Sequence, residues 1–192
     1  MIDIIDANNG NQRSFKGENM AIREVRKQGD PVLKKKAKAI EKFNDPLLDQ
    51  LAEDLFETMY QAPGVGLAAP QIGVSKRILV ADCGEEYGGP YVLINPKIVH
   101  QEGTQIGIEG CLSFPNLYGD VERAYKVIVK AQNLKGKWFK VEAEKLLSRC
   151  FQHEIDHLDG VLFVEKAKNL RELTPDEYRK EREGRESQLA VI

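Results

Sequence analysis

Residues 144–160 read EKLLSRCFQHEIDHLDG, and this stretch decides how the rest of the chain is understood. Leu146, Leu147, Cys150, Phe151 and Ile155 recur at helical steps, and Gly160 is placed to end the helix in the left-handed conformation. Inside it, His153-Glu154-Ile155-Asp156-His157 uses two of the chain's three histidines, with a glutamate between them. On a helix that spacing projects both imidazoles from one face, where they can grip a single metal ion. Glu154 sits one residue beyond the first histidine. Its carboxylate can reach water on such an ion without serving as a ligand, which is where a hydrolase needs its general base. Asp156 and Asp159 are near enough in sequence to orient the imidazoles or to cap the helix end. The stretch reads as the metal-binding helix of a hydrolase.

Working outward, Asp30-Pro31 and Asp45-Pro46 each set a capping carboxylate before a proline suited to the first helical turn. They predict one short helix and one long one. The long helix carries Leu48, Leu51, Ala52, Leu55, Phe56 and Met59 as an apolar stripe and runs to about Gln61, where Ala62-Pro63-Gly64 stops it. From residue 77 the period shortens: runs at 77–83, 91–95 and 125–131 are rich in Val, Ile, Leu and Tyr and bounded by Gly, Pro and Asn, so they predict strands. Asn133-Leu134-Lys135-Gly136-Lys137 turns the last of these into Trp138-Phe139-Lys140-Val141, giving a hairpin over 124–142. Thr174-Pro175-Asp176-Glu177 is a capping box that opens a final, charged helix. Helix, strands, helix describes an α+β domain. The boundaries expected are a flexible extension over 1–19, with Met20 a second plausible start, a catalytic domain over 20–168, and a charged helix and tail over 169–192.

With 192 residues and 42% hydrophobic content the chain can bury one substantial core. Its formal net charge of -2, with no long single-sign block, argues against a nucleic-acid or anionic-membrane surface. Three cysteines are an odd, sparse set that argues against a disulfide framework and for a reducing compartment, with the cytoplasm the expected location. There is no run of 18 apolar residues and no basic leader followed by an apolar core, so neither membrane insertion nor export is expected.

A catalytic metal site needs a third protein ligand and an open position. The long metzincin pattern would place a histidine at 163, where Phe163 stands. A thermolysin-like site would want a glutamate some way downstream, and Glu177 falls there, although inside the capping box. Cys150 shares a helical face with the histidines, yet it lies about 7 Å along the axis from a metal between them, at 1.5 Å rise per residue, and a thiol does not reach so far. Cys111, in Ile108-Glu109-Gly110-Cys111-Leu112-Ser113-Phe114-Pro115, is different: Gly110 permits close backbone approach and Pro115 breaks the strand just beyond. A thiolate from that strand with two helix histidines gives a Cys-His-His ligand set with one position left for water.

Gly64-Val65-Gly66-Leu67-Ala68-Ala69-Pro70-Gln71-Ile72-Gly73 superficially offers a dinucleotide loop, but it follows a helix where that fingerprint must follow a strand. What it does supply is bare backbone able to pair with an extended peptide, and one amide, Gln71, able to donate to a developing oxyanion. Together GVGLAAPQIG, EGCLS and QHEIDHLDG resemble the three signature motifs of the peptide deformylases, in order, within a similarity running from about Met20 to about residue 166.

That resemblance implies an α+β fold of mostly antiparallel strands packed around a central metal-binding helix. It implies removal of the formyl group from N-terminal formyl-methionine of new polypeptides, and Fe2+ as the metal with Zn2+, Ni2+ or Co2+ as substitutes. Carried over by motif position, Cys111, His153 and His157 are the metal ligands and Glu154 is the acid/base. Gln71 and the backbone N–H of Leu112 are the oxyanion donors, and Gly66, with Gly64 and Val65 beside it, is a backbone contact to the peptide. Val65, Leu146 and Cys150 are expected walls of a methionine pocket, with the stem of Arg149 covering it while the charge stays wet. The partners implied are formyl-methionyl nascent peptides, with only transient proximity to the ribosome. Some relatives dock there through a basic C-terminal helix, whereas residues 171–186 here hold five basic and six acidic side chains. Tyr118 stands where some members of the family carry an arginine. Two rival functions are an HExxH zincin-like endopeptidase with Glu177 as third ligand and a non-catalytic metal-stabilised module.

Overall fold

The computed structural model describes residues 2–5, 12–15, 21–62 and 64–189. Two short strands, β1 (Ile2–Ile5) and β2 (Gln12–Phe15), pair antiparallel. The remainder of the expected extension over 1–19 lies outside the described residues. Asp30-Pro31 opens only a single 3-10 turn, Pro31–Lys34, because Lys35 returns the chain to extended backbone. Asp45 caps the long helix as its sequence promises. Its carboxylate accepts from Leu47 N at 3.0 Å, and α1 runs Pro46–Gln61 with Leu48, Ala52, Leu55, Phe56 and Met59 buried.

The strands that follow are β3 (Gly66–Ala68), β4 (Ile78–Ala81), β5 (Tyr91–Glu102), β6 (Gln105–Cys111), β7 (Phe114–Arg123), β8 (Lys126–Gln132) and β9 (Trp138–Glu144). The metal-binding helix is α2 (Lys145–Asp159), followed by β10 (Lys168–Glu172) and α3 (Pro175–Leu189). These strands pair antiparallel and form a five-stranded sheet, β3-β4-β5-β8-β9, and a three-stranded sheet, β10-β7-β6. This is the α+β architecture expected, with the helix between the two sheets.

The strand β4 shows why. Ile78 and Val80 face α1 in a core shared with Val92 and Ile94, while Leu79 and Ala81 face α2 together with Leu93, Phe151 and Leu158. A strand covered on both faces reads as an unbroken apolar run even though its partners are antiparallel. Each of these buried Val, Leu and Ile side chains contributes about 1.5–3 kcal/mol relative to exposure. The end of α2 is fixed as firmly: Gly160 has φ 76°, and Val161 N donates back to Asp156 O at 2.9 Å in a Schellman arrangement. A Cβ at residue 160 would stand 2.6 Å from the carbonyl of Lys34, so the chain crosses there with no room for a side chain.

Three features differ from the sequence expectation. Pro115 does not end the strand region but lies inside β7. The register jumps from Cys111 opposite Phe114 to Gly110 opposite Tyr118, and Asn116 has φ 61°, so the proline falls in a bulge where its missing N–H costs no ladder bond. The strand β10 carries no alternating pattern, yet it pairs with β7, so the boundary at 168/169 falls inside a strand of the second sheet. Finally, β5 continues to Glu102, well beyond the apolar run at 91–95. Among the described residues no helix is long and apolar enough to cross a membrane.

Candidate metal centre and active site

The two sheets and α2 converge at the end of β6. Cys111, His153 and His157 offer one ligand atom each, and these atoms all lie within 4.8 Å of one another. Cys111 Sγ is 3.2 Å from His157 Nε2. His153 turns its Nδ1 to Glu109 Oε2 at 2.9 Å, which leaves Nε2 for a metal. A thiolate and two Nε2 imidazoles suit a tetrahedral ion with one open position. Among the described residues this is the group of histidine, cysteine and carboxylate side chains that could hold a metal ion.

The electrostatics agree. Burial alone would raise the Cys111 thiol, but the imidazoles of His157 and His153 outweigh it and hold the thiol well below its ordinary value. Burial likewise opposes protonation of His153, yet Cys111 and Glu109 overcome it and raise that imidazole well above its ordinary value. To hold a divalent cation these groups would have to be thiolate and neutral imidazole, so binding would release protons.

Glu154 is buried, and among the described residues its Oε2 is without a hydrogen-bond partner, as is Nδ1 of His157. Burial pushes its carboxyl up against the opposing pull of the two histidines. An unpartnered buried carboxylate is costly to keep, and one beside three metal donors fits a proton carrier rather than a structural group. Gly66 makes this possible: a Cβ there would stand 2.7 Å from both Glu154 Oε1 and Cys150 Sγ. Gln71 is also buried and points its amide at the same place, with Nε2 3.5 Å from Cys111 Sγ and 3.4 Å from Ser113 Oγ. Ala68 N donates to its Oε1 at 2.9 Å, which fixes the donating end of the amide toward the sulfur. Leu112 lies in the two-residue turn between Cys111 and Phe114, and a Cβ at Gly64 would stand 3.1 Å from its Cδ1.

Three expectations need correction. Arg149 does not keep its charge in solvent over a pocket. Its side chain is 11% exposed, and Nη1 donates to Glu109 Oε1 at 2.8 Å and to the Val121 carbonyl at 3.0 Å. Asp156 and Asp159 do not orient the imidazoles. Asp156 pairs with Arg123 and Lys166, and Asp159 pairs with Arg77. Glu177 caps α3 by accepting from Thr174 N at 2.8 Å, and it is not in the metal group. Of the expected pocket walls, Cys150 is buried with its thiol 3.3 Å from the Val65 carbonyl, Leu146 is half-buried, and Val65 is exposed. Phe163 stands with its ring centre 6.0 Å from that of His153. Tyr118 stacks on Tyr178 at 4.5 Å, tying α3 to the β6–β7 hairpin.

Glu109 is the residue that motif spacing did not single out. It accepts from Arg123 through two guanidinium nitrogens, each at 2.9 Å, as well as from Arg149 and His153. Burial raises its carboxyl, but hydrogen bonds from His153 and Arg123 outweigh that and leave it well below the usual carboxylate range. The available signal was period two: Glu109 and Cys111 share one face of β6. Glu109→Gln is expected to destabilise the fold by about 3–5 kcal/mol, because the buried Arg149 guanidinium loses its counter-charge and buried Arg123 is left with Asp156. It is also expected to weaken metal affinity by about 10–100-fold. Denaturant unfolding and chelator competition measure the two effects; unchanged metal affinity would mean that Glu109 does not position His153.

An α+β domain that brings two helix imidazoles, a strand thiolate and an unpartnered carboxylate to one point defines a metal-dependent hydrolase. A family model described as polypeptide deformylase matches residues 22–173. The peptide deformylase of Acidobacterium capsulatum is 55% identical over 147 residues, covering 76% of this chain and 86% of that protein. The one from Caldicellulosiruptor bescii is 54% identical, covering 77% and 86%. The crystal structure of the Thermotoga maritima peptide deformylase superposes with a TM-score of 0.73 at 44% identity, covering 77% of this chain and 99% of that one. The chain belongs to the polypeptide deformylase family.

Proposed function

We propose that the deformylase reaction of this chain, removal of the formyl group from N-terminal formyl-methionine, is carried by Glu154, Gln71 and the Leu112 N–H beside a metal ion held by Cys111, His153 and His157. The observation that carries this assignment is the buried Glu154 Oε2, without a partner, next to three donor atoms within 4.8 Å of one another. When bound, the ion supplies Lewis acidity, lowering the pKa of water and polarising the formyl carbonyl. Glu154 accepts the proton of the attacking water and delivers it to the leaving amine. The Gln71 amide and the Leu112 N–H donate to the oxygen as it gains charge, each contributing about 3 kcal/mol of transition-state stabilisation. The peptide backbone extends along β3, an edge strand of its sheet, beside Gly64, Val65 and Gly66. The Val65 carbonyl is already taken by Asp82 N and Gly64 N donates to the Met59 carbonyl at 3.0 Å, which leaves Gly66 as the glycine to present backbone to the peptide.

The substrates are nascent formyl-methionyl chains, so proximity to the ribosome is transient and follows from the substrate. No direct binding to nucleic acid or membrane is part of this function, and three free cysteines suit the cytoplasm. Fe2+ is the proposed native ion, with Zn2+, Ni2+ or Co2+ able to replace it, because one soft thiolate and two imidazoles accept all four. The test is to strip the protein, reload it without oxygen with each ion, and follow amine release from formyl-Met-Ala-Ser. The ferrous form is expected to turn over fastest, and no activity with any of the four ions would overturn the assignment.

A further inference from the structure

Three consecutive residues ahead of the Pro31–Lys34 turn reach both segments that carry the proposed oxyanion donors. Arg26 N donates to the Gln71 carbonyl at 2.7 Å, and Gln28 N donates to the Ser113 carbonyl at 3.0 Å. Between them Lys27 Nζ donates to the Leu112 carbonyl at 2.9 Å. The two segments belong to different sheets: Gln71 follows β3 in the larger one, and Leu112–Ser113 joins β6 to β7 in the smaller. The strap is itself fixed. Asp30 N donates to Lys27 O at 3.1 Å, and a Cβ at Gly73, just past the Gln71 turn, would stand 2.9 Å from Arg26 Nε.

We infer that Arg26–Gln28 is a clamp that sets the separation of the Gln71 amide from the Leu112 N–H, and that Lys27 is a positioning residue acting through Leu112. The inference rests on Gln71 and Leu112 being the oxyanion donors. Such donors act only when they meet the charged oxygen within hydrogen-bond distance, and the other hydrogen bonds between the two segments are long ones from Gln71 Nε2, 3.4 Å to Ser113 Oγ and 3.5 Å to Cys111 Sγ. Lys27 is exposed, so replacing it leaves the Leu112 carbonyl to water and does not disturb the core. Its loss frees the turn to shift while the substrate still binds along β3.

The test compares Lys27→Met, Lys27→Arg and Gln71→Ala as full-length, metal-loaded protein acting on formyl-Met-Ala-Ser. Lys27→Met is expected to lower kcat by about tenfold, a part of the roughly hundredfold that a 1 Å misplacement costs, with KM, melting temperature and metal content unchanged. Lys27→Arg, which keeps a donor of similar reach, is expected to restore kcat. A loss in Lys27→Met confined to KM would make Lys27 a substrate contact and overturn the inference. Parental kcat in Lys27→Met with a crippled Gln71→Ala removes the clamp alone. Parental kcat in Gln71→Ala removes the oxyanion assignment and the clamp with it.

Discussion

Glu154→Gln is expected to keep its fold and its metal while turnover falls by about 10²–10⁴-fold, the usual contribution of a positioned acid/base. The glutamine matches the shape of the carboxylate, so Gly66 and Cys150 still pack against it, and the three ligand atoms are untouched. What disappears is the group that moves the proton. The direction of the stability change separates this role from a structural one. Because Oε2 is buried and without a partner, and burial already pushes the carboxyl up, a neutral amide relieves the fold of a charge it does not solvate. The melting temperature of the metal-free variant should therefore match or exceed the parent's as turnover collapses. Retained activity would remove Glu154 from the mechanism, and a large fall in melting temperature would make it structural.

Cys111→Ala is expected to abolish metal retention through dialysis and with it all deformylation. Two imidazoles remain, but the soft anionic donor that completes the set is gone, and the charge that balances them goes with it. Metal binding also stabilises the native state by mass action, about 4 kcal/mol at a thousandfold excess over Kd, so the metal-dependent rise in melting temperature should vanish as well. An endopeptidase with Glu177 as third ligand would keep its metal in this variant. The structure does not favour that arrangement, since Glu177 is engaged with Thr174 at the start of α3. Metal analysis of Cys111→Ala decides the point, and a full complement of metal would remove Cys111 from the site.

Local pattern made much of the fold legible. The Asp45-Pro46 cap, the apolar stripe of α1, the β8–β9 hairpin and the helix ending at Gly160 are all written within a few residues of where they act. The histidine pair was legible for the same reason, because its geometry is that of one helix. What stayed hidden depends on packing between distant segments. Glu109 finds His153 only because β6 lies against α2, 44 residues apart in sequence, and nothing local distinguishes it from a surface glutamate. Arg149, on the same helix as the ligands, reads as a long side chain near a pocket until Glu109 draws its charge inward. Pro115 reads as a strand breaker because the bulge that admits it is set by cross-strand register. The Arg26–Gln28 strap carries no motif, since two of its three bonds come from backbone N–H groups that any residue but proline supplies.

Deformylation is defined by the bond that is broken. Formyl-Met-Ala-Ser incubated with the anaerobically metal-loaded protein should yield formate and free Met-Ala-Ser in equal amounts by mass analysis, with the unformylated peptide left intact. Cleavage of the Met–Ala bond, or peptide turnover without formate, would contradict it.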